Sequence, residues 1–151
     1  MIKAFRVNGD PKPKGSKTTG VTKNGARYVR ESNPNTMSWV QAVKDEAKSI
    51  MGHNGQTHNV QPPLQGPVKV KLVFYHRRNK DHFCADGSLK WWAPRWKQTA
   101  PDADKLARAF LDGLQPFVIK SDAQVVDLHA LKLWCPLGQE PSVWVEVREI
   151  A

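Results

Sequence analysis

"PDADKLARAFLDGLQPFVIKSDAQVVDL", residues 101 to 128, reads as a helix, a reversing connector and the opening of a strand. Leu106, Ala109, Phe110, Gly113 and Leu114 recur at helical spacing and make one apolar stripe. Asp104, Arg108 and Asp112 fall at i, i+4 and i+8, so they share the opposite, polar face. The helix runs from about Asp104 to Leu114, and "AQVVDLHALKLW" continues as a strand. A helix delivered directly into a strand is the unit of a layered α/β architecture.

Working outward, "PVKVKLVFY" (67–75) alternates, with Val68, Val70, Leu72 and Phe74 on one face and Lys69 and Lys71 on the other. That is the pattern of a half-buried strand. "SVWVEVREI" (142–150) repeats it with Val143, Val145 and Val147. Ile2 to Val7 and "ARYVRES" (26–32) read as short strands. "NGDPKPKGSKTTG" (8–20), rich in glycine and proline, reads as irregular. "SNPNTMSWVQAVKDEAKSIMG" (32–52) reads as a helix capped by Asn33, opened by Pro34 and ended by Gly52. Val40, Val43, Ala47 and Ile50 are its expected buried stripe. "HNGQTHNVQPPLQG" (53–66) is a polar connector, and residues 76 to 101 are a long irregular insertion of the kind that carries function. The expectation is an α/β (α+β) fold: one domain over residues 1–151, a mixed β-sheet with two main helices packed on it.

Composition narrows the function. Hydrophobic residues make up 40% of the 151 residues, enough for a folded core. Apolar runs are too short for a membrane span, and the N-terminus lacks the apolar core of a secretion signal, so a cytosolic protein is expected. Two cysteines, Cys84 and Cys135, are too few for a disulfide framework. His82 and Cys84 are neighbours, but two ligands do not make a structural zinc site. Formal net charge is +9, from 23 Lys and Arg against 14 Asp and Glu. A surplus of this size points to a polyanion, and nucleic acid is the usual one.

The basic residues are segregated. Lys12, Lys14 and Lys17 lie in the Gly/Pro-rich N-terminal segment and are candidates for phosphate contact. "RRNKDHFCADGSLKWWAPRWK" (77–97) adds Arg77, Arg78, Lys90, Arg95 and Lys97, interleaved with Phe83, Trp91, Trp92 and Trp96. Exposed rings there stack on unpaired bases. The competing reading is that they fold onto the core or build a subunit interface, since large aromatics are mostly buried.

Against this background the acids at the helix start stand out. Asp102 and Asp104 lie two apart and cannot share a helical face, but one just before the helix and one in its first turn converge beside its N-terminus. They either cap the helix and complement its dipole or hold a cation. Asp122 opens the following strand, and an extended connector over 115–121 reaches about 23 Å, enough to return along a helix of about 16 Å. Three carboxylates meeting repel one another unless a cation joins them, and oxygen ligands suit Mg²⁺. Arg108, one turn after Asp104, is placed to stabilise charge on a phosphate.

Residues 101 to 128 resemble the signature of RusA-family Holliday junction resolvases: Pro-Asp-x-Asp, a basic residue in the next turn, Leu-Asp-x-Leu, then Asp-x-Gln-Val opening a strand. "VNGDPKPKGSK" (7–17) is similar to the family's opening, and "LKWWAPRWKQTAPDADKL" (89–106) to the approach in phage-type members. The resemblance implies a Mg²⁺-dependent, structure-selective endonuclease, with Mn²⁺ as a substitute. It implies a homodimer that resolves four-way DNA junctions by paired nicks, in recombination and repair, in the cytosol of a bacterial or phage-infected cell. It implies metal ligands and catalytic aspartates at Asp102, Asp104 and Asp122, and a basic catalytic position at Arg108. Two departures are visible: Arg108 replaces the usual lysine, and Ser121 stands where many relatives carry an aspartate. They leave open a binding module for branched DNA without catalysis; a metal nuclease without junction preference is the third reading.

Overall fold

In the computed structural model the described residues are 1–151 apart from 16, 32–33, 54 and 56–58, and apart from the side chains at 17, 18 and 31. The chain runs β1 (Ile2–Asn8), β2 (Lys17–Val21), β3 (Arg27–Glu31), α1 (Pro34–Ile50), β4 (Val68–His76), α2 (Ala103–Leu114), β5 (Val125–Trp134) and β6 (Ser142–Glu149). The expected Asn33 cap of α1 lies outside the described residues.

Four strands form a mixed sheet in the order β1-β6-β4-β5. β6 lies antiparallel to both β1 and β4, while β4 and β5 are parallel. A parallel pair needs a crossover, and the segment carrying α2 supplies it. Register places Phe5 opposite Val145 and Val7 opposite Val143. It also pairs Val70 with Val147 and Leu72 with Val145, so the inward residues of three strands meet on one face. That face is covered by both helices, in one core that includes Trp39, Val43 and Ala47 from α1 and Leu106, Phe110 and Leu114 from α2. The other face carries the polar alternates: Lys71 sits 5.9 Å over the Trp144 ring, and Lys69 pairs with Asp127 at 2.8 Å.

Two expectations are corrected. Residues 17–20, expected irregular, form β2 together with Val21, and β2 pairs with β3 in a separate two-stranded ribbon around Gly25 (φ 81°). Val21 and Val29 are exposed, so the described side chains of the ribbon bury no face and leave no alternation to read. In α1 the buried positions are Thr36, Trp39, Val43 and Ala47. Val40 only flanks the core, and Met51, just past the helix, is buried in place of Ile50.

The insertion over 77–101 contains no α-helix and no long strand, only a 3-10 turn at Lys80–His82. It is pinned at its base. The Arg78 guanidinium donates to the carbonyls of Cys135 (2.7 Å) and Pro94 (2.8 Å). Trp96 bridges to Leu133, and the Trp134 amide donates to the Arg95 carbonyl. Beyond these ties the Trp91 ring is 96% exposed, and Trp92 and Trp96 are also exposed.

Candidate active site

The start of α2 is held from β5. The Lys132 ammonium donates to the carbonyls of Thr99 (2.8 Å) and Pro101 (2.7 Å), which fixes the backbone immediately before Asp102. Asp102 occupies the position that begins the helix, with extended backbone (φ −70°, ψ 142°), yet its carboxylate makes no capping hydrogen bond. Asp104 lies in the first turn, and both carboxylates are exposed. Asp102 has Lys105 at 3.4 Å, one turn on, a solvent-screened pair of small worth. A capping hydrogen bond therefore does not account for Asp102, although its charge complements the helix dipole.

Arg108 is exposed on the same helix and makes no ion pair with Asp104 or Asp112 among the described residues. Asp112 instead accepts from Lys14 at 2.5 Å, while the Lys14 amide donates to the Lys105 carbonyl at 3.0 Å. Lys14 thus ties the N-terminal segment along α2.

Asp122 stands in a 3-10 turn, Asp122–Gln124, that leads into β5. Ser121 caps that turn by accepting from the Ala123 amide at 3.2 Å. Gln124 locks it: its amide donates to the carbonyls of Leu64 and Gly66, and its carbonyl accepts from the Lys120 and Ser121 amides. Lys132 and Gln124 are positioning residues that sequence reasoning missed; only their places in the fold reveal the carbonyls they hold.

The three aspartates are not brought together within one chain. The connector does not extend. It turns on itself, with the Val118 amide on the Leu114 carbonyl, and buries Val118 and Ile119 in the core. Ile119 pairs with Leu64 at the far end of α2. Lys132, which touches Pro101, and Val125, beside Asp122, are separated along β5 by about 23 Å at 3.3 Å per residue. Asp102 and Asp104 are therefore at one end of α2 and Asp122 at the other. Among the described residues no group of three His, Cys, Asp or Glu side chains is placed to hold a metal.

The remaining basic candidates divide. Lys12, Arg77 and Lys97 line one concavity beside Pro101, with Arg77 also 3.1 Å from Glu140. Arg78 is engaged at the loop base. Lys90 and Arg95 lie 5.4 Å over the rings of Trp92 and Trp96, forming a basic aromatic surface. The Lys17 side chain lies outside the described residues. Burial and the nearby Lys132 lower the pKa of Lys97. Burial, followed by the charges of Lys97 and Lys132, lowers His76 from 6.5 to about 4, so it is neutral at pH 7.

A family model described as endodeoxyribonuclease RusA matches residues 9–148. The chain belongs to the RusA endodeoxyribonuclease family. No match is found among curated proteins. Membership covers nearly the whole chain, so the α/β domain with its two helices is the RusA endonuclease domain of this protein, and the family supports nuclease activity on DNA. In this RusA chain the signature's Asp-x-Asp is the uncapped pair at α2, and its Asp-x-Gln is the locked turn before β5. No helix among the described residues is long and apolar enough to cross a membrane.

Proposed function

We propose that this protein is a divalent-metal-dependent endonuclease that cuts four-way DNA junctions by paired nicks as a homodimer. The observation that carries the reading is the uncapped, exposed Asp102–Asp104 pair at the start of α2, beside a basic concavity, in a RusA-family chain. Like charges left without a capping role beside a polyanion site suit a hard cation. Mg²⁺ fits this donor set, because it takes one or two carboxylates and completes its shell with waters and substrate phosphate oxygens. Mn²⁺ takes the same oxygen ligands. Such an ion polarises a phosphate and makes bound water more acidic.

The chain's own residues do the rest. Lys132 holds the backbone that presents Asp102. Arg108, on the same helix and without a carboxylate partner there, supplies positive charge to a phosphate; guanidinium keeps its proton, so the role is electrostatic. Asp122, at the opposite end of α2, joins Asp102 and Asp104 when a second copy related by a two-fold axis presents its own Asp122 to them. A four-way junction is itself close to two-fold symmetric, and such a dimer places two equivalent sites on opposed strands. Lys12, Arg77, Lys90, Arg95 and Lys97 supply the phosphate contacts.

The test is incubation of the protein with a synthetic four-way junction and Mg²⁺ or Mn²⁺, with a linear duplex of the same sequence alongside. Wild type is expected to give paired symmetric nicks in the junction. Asp102→Asn and Asp104→Asn are expected to lose about 100-fold or more in rate, since metal assistance is worth several kcal/mol. An intact junction with every divalent ion tried leaves a binding module without catalysis. Equal cutting of junction and duplex leaves a nuclease without junction preference.

A further inference from the structure

Immediately before Asp102 the surface sinks into a pocket of about 510 Å³ between the N-terminal segment, the C-terminal end of β4 and the base of the insertion. That volume lies within the range of about 300–1,000 Å³ usual for small-molecule sites. Its lining is of two kinds. Lys12, Arg77 and Lys97 supply positive charge against the single carboxylate of Asp10. Trp134, with Pro101 and Pro11, supplies apolar wall, and Asn79 adds an amide that both donates and accepts.

Two further features indicate an occupant. His76, 7% exposed, lines the pocket, and its Nε2 is buried without a hydrogen-bond partner among the described residues. A buried orphan of this kind costs free energy, which a ligand group would recover once the imidazole turns that nitrogen toward the pocket. The Lys97 ammonium is held 4.4 Å from the centre of the Trp134 ring and 2.7 Å from Thr99 Oγ1, with no carboxylate beside it among the described residues. The charged groups acting on His76 are Lys97, Lys132, Lys12 and Asp10, three cations to one anion. A bare phosphate would use the cations and leave the ring, the amide and most of the volume unused.

We propose that this pocket receives one unstacked nucleotide of the DNA strand, with its phosphate on Lys12 and Lys97 and its base against Trp134, Asn79 and His76. The inference rests on the nuclease reading for the identity of the strand and deepens it: a nucleotide seated here lies next to Asp102, so the pocket sets which phosphate is presented for cutting. At a branch point, bases are already partly unstacked, which lowers the cost of placing one in a pocket.

The test uses the ¹⁵N-labelled full chain without metal, titrated with each of the four 2′-deoxynucleoside 5′-monophosphates and with inorganic phosphate. The Trp134 indole signal is assigned by comparison with Trp134→Phe. At least one nucleotide is expected to shift that signal saturably, while inorganic phosphate does not. Asn79→Ala is expected to weaken the binding about fivefold, the worth of one hydrogen bond. Lys12→Ala, at a surface position, is expected to weaken it as well and serves if Asn79→Ala does not fold. The proposal is overturned if no nucleotide shifts the signal saturably, if inorganic phosphate reproduces the shift, or if the folded variants bind as tightly as wild type. Because neither metal nor cleavage enters the measurement, a negative result beside intact junction nicking rejects the pocket alone. Nucleotide binding without any nicking rejects the nuclease reading alone.

Discussion

His76 illustrates how one side chain can be unremarkable in sequence and decisive in place. It is the last residue of β4, and burial together with Lys97 and Lys132 depresses its folded-state pKa to about 4. The unfolded chain, with an ordinary value near 6.5, therefore binds a proton that the folded chain refuses between those limits. Stability from this group is complete above about pH 6.5, falls as pH drops toward 4, and levels off below. Urea unfolding at pH 7 and pH 4.5 is expected to show wild type losing about 2 kcal/mol more than His76→Gln over that interval. Equal losses would mean that the imidazole is solvated in the folded state. Asp102 makes the complementary point. Its residue type and spacing suggested a cation ligand against the common alternative of a helix cap, and the helix geometry shows no capping bond. Ser121 was visible only as a missing aspartate; in the fold it caps the turn that carries Asp122.

At the scale of elements, the two helices meet where Gly113 of α2 faces Val43 of α1. A Cβ at Gly113 would come within 2.5 Å of the Val43 side chain and 3.1 Å of the Val40 carbonyl. Val43 is fully buried, so neither helix can give way without disturbing the core. Gly113→Ala is expected to destabilise by about 1–3 kcal/mol, the usual cost of overpacking, even though alanine is the better helix former. A denaturation midpoint at or above that of wild type would show that the helices separate more easily than this contact implies. The helices, β4 and β6 were readable because each buries a strict periodic stripe. The ribbon of β2 and β3 was half missed because its described side chains bury none, and the last buried residue of the α1 stripe is Met51, just past the last turn, in place of Ile50.

For the whole molecule, the separation of Asp122 from Asp102 along α2 makes subunit mixing the informative experiment. In the proposed dimer, Asp102→Asn or Asp122→Asn carried by both subunits is expected to abolish nicking. In the mixed dimer, a site shared across the two-fold pairs both lesions in one site and leaves the other intact. Co-refolded chains are then expected to regain single-strand nicking of the junction, read as one labelled strand cut without its symmetry mate. No recovery in a demonstrated mixed dimer would place all three aspartates in one chain's site and require the connector to rearrange.

What the amino-acid order determined by itself is local and periodic: helices and central strands from their apolar stripes, an expected nucleic-acid partner from segregated charge, and a candidate site from an acid pair in a basic chain. What only the tertiary structure decided is which distant groups meet. Lys132 reaches Pro101, Gln124 reaches Leu64, and Lys14 reaches Asp112, each across a sequence gap that spacing does not encode. The connector's reach was a bound on chain length, and burial of Val118 and Ile119 consumed it. Apolar burial, rather than the carboxylates, chose the path of that connector, because burying two large side chains stabilises by several kcal/mol, while exposed carboxylates exert little pull in water.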